Sequence, residues 1–433
     1  MLVKIPYGRT ALSADIGGNV EVVTSQRVSP QYDPAAAVAA GLERPIDAEP
    51  LADRIHRTTP ETVCILVSDA TRPVPNEMLL TALLGRLMAS GIHPDGVTIL
   101  IANGLHRPTT REERQRLLGP EIPAAWRVVD HDARDKHTLA KLPGKTPAGA
   151  TAAVNRLYLD ADLTIATGLI EPHFMLGYSG GRKSICPGIV DLRTVQRLHG
   201  PALLSDPNAR AGVLDENPCH REALAVARAA GVDLIINVTL DHLGQVVGVY
   251  VGDLDAAHRA GVRELADRAT VEVLTPADIV VTSAGGFPLD NTFYQAVKGF
   301  VAPLPIVKPG GVILCCAACK EGIGSDDYRD LMRRYDGDFR RFLKDIAHRK
   351  SVARDQWEYQ MHARVLSKLG VEGLTCVTDG IDVETLRHLS VSPPLGEGRQ
   401  MLQATYDAVA ADLTDPHTVI IPEGPYVIPT LAT

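Results

Sequence analysis

The sequence predicts an α/β protein with mainly parallel sheets, divided into two α/β domains. Short runs of β-branched and other apolar residues recur, and each is followed by a turn and then by a segment with helical spacing of its apolar residues. Continuous apolar strands that alternate with helices are typical of a parallel sheet covered on both faces. The length of 433 residues exceeds one ordinary domain, so two or three domains are expected.

The elements follow in chain order. Four apolar runs are predicted as the first strands, at 62–67, 97–102, 163–167 and 234–238, with helical segments such as 78–90 and 221–230 between them. The pattern restarts with the runs 277–282 and 311–316. We therefore predict an N-terminal domain over residues 1–270 and a C-terminal domain over residues 271–433. The last run, 418–422, is compatible with either sheet. Packing of the final residues on the first domain therefore stays open as an alternative.

Composition excludes several classes of protein. Apolar residues make up 45% and charged residues 22%, which is typical of a soluble globular chain. The net charge of −8 argues against a protein that binds the backbone of nucleic acids. No apolar run is long enough for a membrane helix, and Met1 to Pro6 lacks the pattern of a signal peptide. A cytoplasmic protein without nucleic-acid or membrane partners is expected.

The seven cysteines do not indicate a metal centre. They are scattered, and several lie in apolar runs, which predicts reduced and buried thiols. Cys316 and Cys319 have C-x-x-C spacing, but no second pair of ligands is evident. The end of a buried strand is the favoured interpretation.

Polar clusters follow three successive strands of the first domain. The segments are 68–73 (SDATRP), 103–108 (NGLHRP) and 168–173 (GLIEPH). Ligands in open α/β sheets bind beyond the carboxyl ends of the strands. Three such clusters in order indicate one catalytic or cofactor site assembled from three loops.

The segment 171–184 (EPHFMLGYSGGRKS) is the most distinctive part of the chain. Its glycines allow a close backbone approach to a ligand, and Lys183 suits either a phosphate contact or a nucleophile. The P-loop pattern requires glycine directly before the Lys-Ser pair, where this chain has Arg182. Ordinary ATP binding is therefore not implied. Taken alone, the segment is also compatible with a tight turn that carries a solvated Arg-Lys pair.

Three histidines are candidates for chemistry. His106 and His173 follow different strands, and a base and an acid on opposite sides of a substrate carbon suit a reaction that runs in both stereochemical directions. His199 precedes Gly200, where it is either a histidine at a helix end or a lone metal ligand. One histidine does not make a tight metal site, so a metal here would need ligands from a cofactor.

The second domain contributes further candidates. Gln295 and Lys298 are three residues apart and share a predicted helix face. An amide beside an ammonium suits a small carboxylate, although an exposed polar face explains the spacing equally well. Trp357, one of two tryptophans, is either an apolar lid over a pocket or part of the core.

Six motifs together resemble the nickel-pincer nucleotide-dependent lactate racemases. They are collinear and span most of the chain: SDATRPVP at 68–75, GLHRP at 104–108, GYSGGRKS at 177–184, GGFPLD at 285–290, YQAVKG at 294–299 and DQW at 355–357. The resemblance implies two α/β domains with the cofactor in the interdomain cleft, and a C-terminal domain that closes over the substrate.

The resemblance also implies a cofactor and its ligands. The family uses a nickel pyridinium-3,5-bisthiocarboxylic acid mononucleotide that is covalently linked to a lysine, here Lys183, and whose nickel takes one histidine ligand, here His199. The loop of Asp69, Ala70, Thr71 and Arg72 matches the nucleotide contacts. Proteins that synthesise the cofactor are the implied partners, beside a small 2-hydroxy acid.

The implied reaction is racemisation or epimerisation of that acid by reversible hydride transfer. His106 and His173 match the two proton-transfer histidines, and the substrate contacts fall on Arg72, Tyr294, Gln295, Lys298 and Trp357. Lactate-like acids rank first and malate second. The second carboxylate of malate would need another cation in the site, and the sequence does not show where Arg107 or Arg182 points. Two alternatives stay open: a nicotinamide-type α/β oxidoreductase without nickel, which the absence of G-x-G-x-x-G weakens, and a non-catalytic hydroxy-acid binding protein.

Overall fold

The computed structural model describes residues 1–347, 349 and 351–432. Its strands are β1 (Leu2–Tyr7), β2 (Thr10–Asp15), β3 (Val20–Val22), β4 (Val63–Ser68), β5 (Val97–Ala102), β6 (Arg127–Asp130), β7 (Leu139–Lys141), β8 (Ala153–Asn155), β9 (Leu163–Leu169), β10 (Pro172–His173), β11 (Gly177–Tyr178), β12 (Leu234–Leu240), β13 (Val246–Gly252), β14 (Thr270–Val273), β15 (Ala277–Ser283), β16 (Val307–Cys316), β17 (Leu374–Val377), β18 (Thr418–Ile421) and β19 (Ile428–Leu431).

The helices lie mainly between these strands. They are α1 (Pro34–Glu43), α2 (Leu51–Thr58), α3 (Asn76–Ala89), α4 (Arg111–Leu118), α5 (Ile122–Ala125), α6 (Arg156–Leu159), α7 (Leu192–Leu198), α8 (Pro201–Leu204), α9 (Pro218–Ala230), α10 (Ala256–Ala269), α11 (Phe293–Val301), α12 (Asp326–Tyr335), α13 (Phe339–Ala347), α14 (Gln356–Leu369), α15 (Val383–His388) and α16 (Met401–Ala411). No helix among the described residues is both long and apolar enough to cross a membrane.

The first sheet has six strands in the order β13-β12-β9-β4-β5-β6. All neighbouring pairs are parallel except β12 and β13. Every residue of β9 is buried, as expected for a strand with helices on both faces. On one face α3 buries a stripe of leucines against the sheet at positions 79, 80, 83, 84 and 87. The predicted α/β class is confirmed.

The second sheet has five parallel strands in the order β17-β16-β15-β18-β3. Residues 1–16 form the β1–β2 hairpin, whose apolar side packs on β15, β16 and α16. The first 23 residues therefore pack with the second sheet, whereas the sequence placed 1–270 in one domain. The edge strand β3 is three residues long and only partly buried, so its own sequence does not indicate which sheet it joins.

The end of the chain contacts both halves. Strand β18 is internal to the second sheet, and β19 pairs with β14 in a separate two-stranded ladder. Ile428 in β19 packs in a cluster with Ile170 and Tyr178, which belong to the loops of the first sheet. Cys316 is the last residue of β16, and it and Cys319 are buried free thiols.

Candidate active site

The carboxyl ends of β4, β5 and β9 face helices α11 and α14 across a cavity of about 1570 Å³. All of the residues that the sequence singled out for a site line this cavity: Asp69, Ala70, Thr71, Arg72, His106, His173, Lys183, His199, Tyr294, Gln295, Lys298 and Trp357. The structure therefore brings together residues from both halves of the chain. Their chemical roles remain predictions.

His106 is oriented by a buried carboxylate. Its Nδ1 lies 2.5 Å from Oδ2 of Asp69, and Thr71 Oγ1 donates to the other carboxylate oxygen at 2.7 Å. Burial by itself would raise the pKa of Asp69, but the hydrogen bond and charge of His106, together with Thr71, outweigh it and the pKa is lowered. An ionised Asp69 accepts a hydrogen bond from Nδ1–H of His106, which leaves Nε2 of His106 free to accept a proton.

His173 has the opposite arrangement. Its Nδ1 accepts the backbone N–H groups of Met175 at 3.2 Å and Leu176 at 3.1 Å, so the neutral ring carries its proton on Nε2. Burial lowers the pKa of His173 well below its ordinary value, and the nearby cations, first Lys183 and then Arg72, lower it further. The cavity thus contains one imidazole ready to accept a proton and one ready to donate a hydrogen bond.

The glycine-rich segment is held by hydrogen bonds and by close backbone packing. Ser179 Oγ donates to the Leu169 carbonyl at 2.7 Å and accepts from the Glu171 N–H at 2.9 Å. Gly177 has φ +80°, and a Cβ there would lie 2.0 Å from the carbonyl oxygen of Val213. Only glycine fits such an approach in this conformation.

Lys183 lies in the 3₁₀ turn Gly181–Ser184 that ends this segment. Its ammonium makes no hydrogen bond or ion pair with any described residue, and it faces the cavity. Burial lowers the pKa of Lys183 well below its ordinary value, and the charges of Arg72 and Arg182 add to the effect. Both effects favour the unprotonated, nucleophilic form of the amine.

The two arginines whose direction the sequence left open both point away from the cavity. Arg107 is paired with Glu113 at 2.7 Å on the surface. Arg182 is 0% exposed, so the interpretation of residues 182–183 as a solvated Arg-Lys pair is wrong. A short turn gives no sequence signal for which of two adjacent cations faces inward.

His199 follows the last turn of α7 and has one free ring nitrogen. Its Nδ1 donates to the Val195 carbonyl at 2.9 Å, which leaves the Nε2 lone pair available. Helix α14 of the other half supports it: Gln360 Nε2 donates to the His199 carbonyl at 3.0 Å, and the Trp357 ring packs 5.1 Å from the imidazole, centroid to centroid. Burial lowers the pKa of His199 to about 4, so the ring is neutral at neutral pH.

The second half supplies a network of polar side chains around Lys298. Trp357 Nε1 donates to the Tyr294 hydroxyl at 3.0 Å, and that hydroxyl donates to Asp355 at 3.3 Å. Burial lowers the pKa of Lys298 and raises the pKa of Glu358, which also lines the cavity. No carboxylate of the described chain lies within ion-pair distance of Lys298.

Arg72, by contrast, is already paired. Its guanidinium donates to Glu171 at 2.6 Å. Sequence reasoning missed the site roles of Glu171, Asp355, Glu358 and Gln360, although Glu171 and Asp355 lie inside segments that it singled out. Acidic residues next to a recognised motif give no signal of their own, because only the fold decides which cation they meet.

The donor set suits a cofactor that brings its own metal ligands. Within the described residues, no three His, Cys, Asp or Glu side chains converge on a point, so the described side chains do not form a complete metal site around His199. Lys183, the unpartnered amine, faces the same cavity. An amine without a partner and a neutral imidazole fit a group that is tethered at one side and coordinated at the other.

Comparisons with known proteins show a consistent family relationship. A family model described as the lactate racemase N-terminal domain matches residues 7–212, and one described as the lactate racemase C-terminal domain matches residues 273–429. The chain is 34% identical to the lactate racemase of Thermoanaerobacterium thermosaccharolyticum, with 98% of each chain covered. It is 32% identical to that of Lactiplantibacillus plantarum, over 98% of this chain and 99% of the other.

Solved structures show the same relationship. The lactate racemase apoprotein of Thermoanaerobacterium thermosaccharolyticum superposes with a TM-score of 0.91 at 33% identity, over 99% of this chain and all of the other. A protein of Thermotoga maritima superposes with a TM-score of 0.69 at 17% identity, over 94% of this chain and 100% of the other. The latter likeness concerns the fold alone.

Proposed function

The chain belongs to the lactate racemase family and is an isomerase, and we propose that it interconverts the enantiomers of a short 2-hydroxy acid, with lactate ranked before malate. The observation that carries this proposal is the meeting of His106 and His173 in one cavity with the cation of Lys298. Two imidazoles with opposite proton arrangements suit a reaction that runs in both stereochemical directions.

The substrate carboxylate is best placed on Lys298. Arg72 shares its charge with Glu171, whereas no such carboxylate neutralises Lys298, so the lysine attracts an anion more strongly. Gln295 shares the helix face of Lys298, and its Oε1 is buried without a hydrogen-bond partner.

The proton steps follow from the two tautomers. Nε2 of His106 accepts the hydroxyl proton while Asp69 stabilises the imidazolium that forms. Nε2–H of His173 donates a hydrogen bond to the substrate oxygen. For His173 to take up a proton in its turn, Nδ1 must be released from Met175 and Leu176, so movement of that turn is part of the cycle.

We propose that the cavity holds a nickel-pincer nucleotide, tethered by Lys183 and coordinated by His199, with the loop from Asp69 to Arg72 beside the nucleotide. When bound, this group supplies the acceptor for the hydride of the substrate carbon. The protein's part is to orient the 2-hydroxy acid for the reaction. The proteins that synthesise the cofactor are the corresponding partners.

Lactate ranks before malate because neither arginine considered for a second carboxylate is in the cavity. Arg107 is on the surface, and Arg182 does not line the cavity. Neither of these two arginines is therefore placed to bind the second carboxylate of a dicarboxylate.

The test is loss of optical purity. Cofactor-loaded protein is incubated with L-lactate, D-lactate and each enantiomer of malate, and the products are separated on a chiral column. Lys183→Ala is expected to abolish both racemisation and the mass adduct, whereas replacement of the exposed Lys145 should leave both unchanged. Full activity of Lys183→Ala with any 2-hydroxy acid would refute the proposal, as would reduction of a bound nicotinamide by lactate in protein free of nickel.

A further inference from the structure

Arg182 is an unusual residue for its position. It is the neighbour of the proposed tether, it is fully buried, and it does not line the cavity. No carboxylate of the described residues lies within ion-pair distance of its guanidinium. A buried cation without a counter-charge is costly to desolvate, so a chain that keeps one there requires an explanation.

The guanidinium binds the backbone of the glycine-rich segment. Nη2 donates to the carbonyls of Leu176 at 2.9 Å and Tyr178 at 2.8 Å, and Nη1 donates to the carbonyl of Gly180 at 3.3 Å. These carbonyls belong to the stretch that leads into the turn with Lys183. One planar fork thus fixes three peptide groups relative to each other.

His258 is a second buried group beside the Arg182 guanidinium. His258 Nε2 lies 3.0 Å from Nη1 of Arg182 and 2.8 Å from the Ser179 carbonyl. Burial lowers the pKa of His258 well below its ordinary value, and the charge of Arg182 adds to this. Both effects favour the neutral form of His258, so the positive charge of this buried pair lies on Arg182.

We propose that Arg182 is a positioning residue that fixes the backbone of residues 176–180 from behind, so that Lys183 presents its amine to the cavity for cofactor attachment. The attachment itself rests on the proposed function. The placement of Lys183 does not, because it is a property of the chain without cofactor.

The charge of Arg182 supports the same role. An amine is nucleophilic only when unprotonated, and Arg182 is among the cations that lower the pKa of Lys183, after burial and Arg72. Lys298 acts in the same direction, whereas Glu171 opposes it. A fixed cation on the side away from the cavity favours the free amine without occupying space that the cofactor needs.

The experiment measures the reactivity of Lys183 in the chain without cofactor. Trace acetylation with acetic anhydride is followed over a range of pH by peptide mass spectrometry, with the exposed Lys145 as internal reference. The variants are Arg182→Gln, which removes the positive charge, and Arg182→Lys, which keeps the charge but loses the planar guanidinium that binds three backbone carbonyls. Arg364→Gln is the matched control, since Arg364 also binds backbone carbonyls, at Ala209, Asp206 and Leu204.

We expect the labelling midpoint of Lys183 to lie below that of Lys145 and to move upward in Arg182→Gln. At a pH below the midpoint, each unit of upward movement lowers the labelling rate about tenfold. Arg182→Lys should keep the wild-type midpoint, yet carry the cofactor adduct on several-fold fewer chains. Arg364→Gln should shift neither quantity, even if its melting temperature falls as far.

An unchanged midpoint in folded Arg182→Gln would overturn the electrostatic part of the proposal. If that variant does not fold, Arg182→Lys decides, and a wild-type adduct fraction in it would overturn the positioning part. Failure of the proposed function gives a different pattern. No adduct would then form even on the wild-type chain, while the labelling differences would remain.

Discussion

Replacement of Asp69 by Asn tests the assignment of His106 as proton acceptor. The carboxylate is 8% exposed and its Oδ2 lies 2.5 Å from Nδ1 of His106. The amide that replaces it is uncharged, and with its NH₂ group turned to the ring it would favour the wrong tautomer. The variant therefore removes the stabilisation of the imidazolium without removing the imidazole.

The magnitude follows from the type of bond and its exposure. A hydrogen bond to a charged group contributes about 1.5–3 kcal/mol, and every 1.4 kcal/mol corresponds to about a tenfold change in rate. Because the His106 side chain is 59% exposed, solvent screening places the loss in the lower part of this range. We expect kcat/KM to fall about 10- to 40-fold.

The assay is the initial rate of racemisation from each enantiomer, with nickel and the Lys183 adduct measured on the same samples. Enantiomers have equal free energies, so kcat/KM must fall equally in both directions. The pKa of Asp69 is lowered, so the difference from wild type should be present at neutral pH and shrink in acid as the wild-type carboxylate is protonated.

The matched control is Arg107→Gln, on the same loop. Arg107 is adjacent to His106, but its guanidinium is 67% exposed and paired with Glu113. We expect its activity to stay within about twofold of wild type, the usual range for a surface pair. Wild-type kcat/KM in Asp69→Asn at equal cofactor content would refute the assignment.

Other predictions concern the metal, the backbone and acid stability. His199→Gln should lower nickel per chain about tenfold or more without removing the Lys183 adduct, measured by metal analysis and intact mass; undiminished nickel would contradict the ligand role. Gly177→Ala should lower the free energy of unfolding by about 2–4 kcal/mol, measured with denaturant. The control is Gly144→Ala, at a position with φ +77° and open space around an added Cβ, which should cost about 1 kcal/mol. Equal losses in the two variants would contradict the role of the close approach at Gly177. Burial lowers the pKa of His199 to about 4 and of His362 to about 3, so below about pH 6.5 the unfolded chain binds more protons than the folded chain. The free energy of unfolding of the apo chain should therefore fall as the pH drops from about 6.5 towards 4. A flat profile over that range would show that these rings are not neutral in the fold.

The sequence predicted the strands of both sheets closely. The runs 97–102 and 277–282 became β5 (Val97–Ala102) and β15 (Ala277–Ser283). Buried parallel strands are continuous apolar runs, which are local signals. The same locality explains why the sequence did not indicate that β3 pairs with β18 of the second sheet, since a short edge strand carries no information about its partner.

The candidate site, like the fold, was predicted from the sequence only in its local features. The sequence placed polar clusters after β4, β5 and β9, and the rule for parallel sheets brought them to one edge. It did not predict that Arg182 is buried while Lys183 faces the cavity, or that Gln360 and Trp357 on α14 support His199. The contacts of Gln360 and Trp357 with His199 join residues more than 150 positions apart.

The sequence by itself determined the α/β class, the three loops that form the site and the residue types that meet there, because strand periodicity, glycine turns and motifs are properties of neighbouring residues. The tertiary structure decided the protonation and direction of each group. Asp69 sets the tautomer of His106, two backbone N–H groups set that of His173, and burial among cations favours the free amine of Lys183. Desolvation and charge depend on what surrounds a side chain in space, and neighbours in space are fixed only when the chain folds.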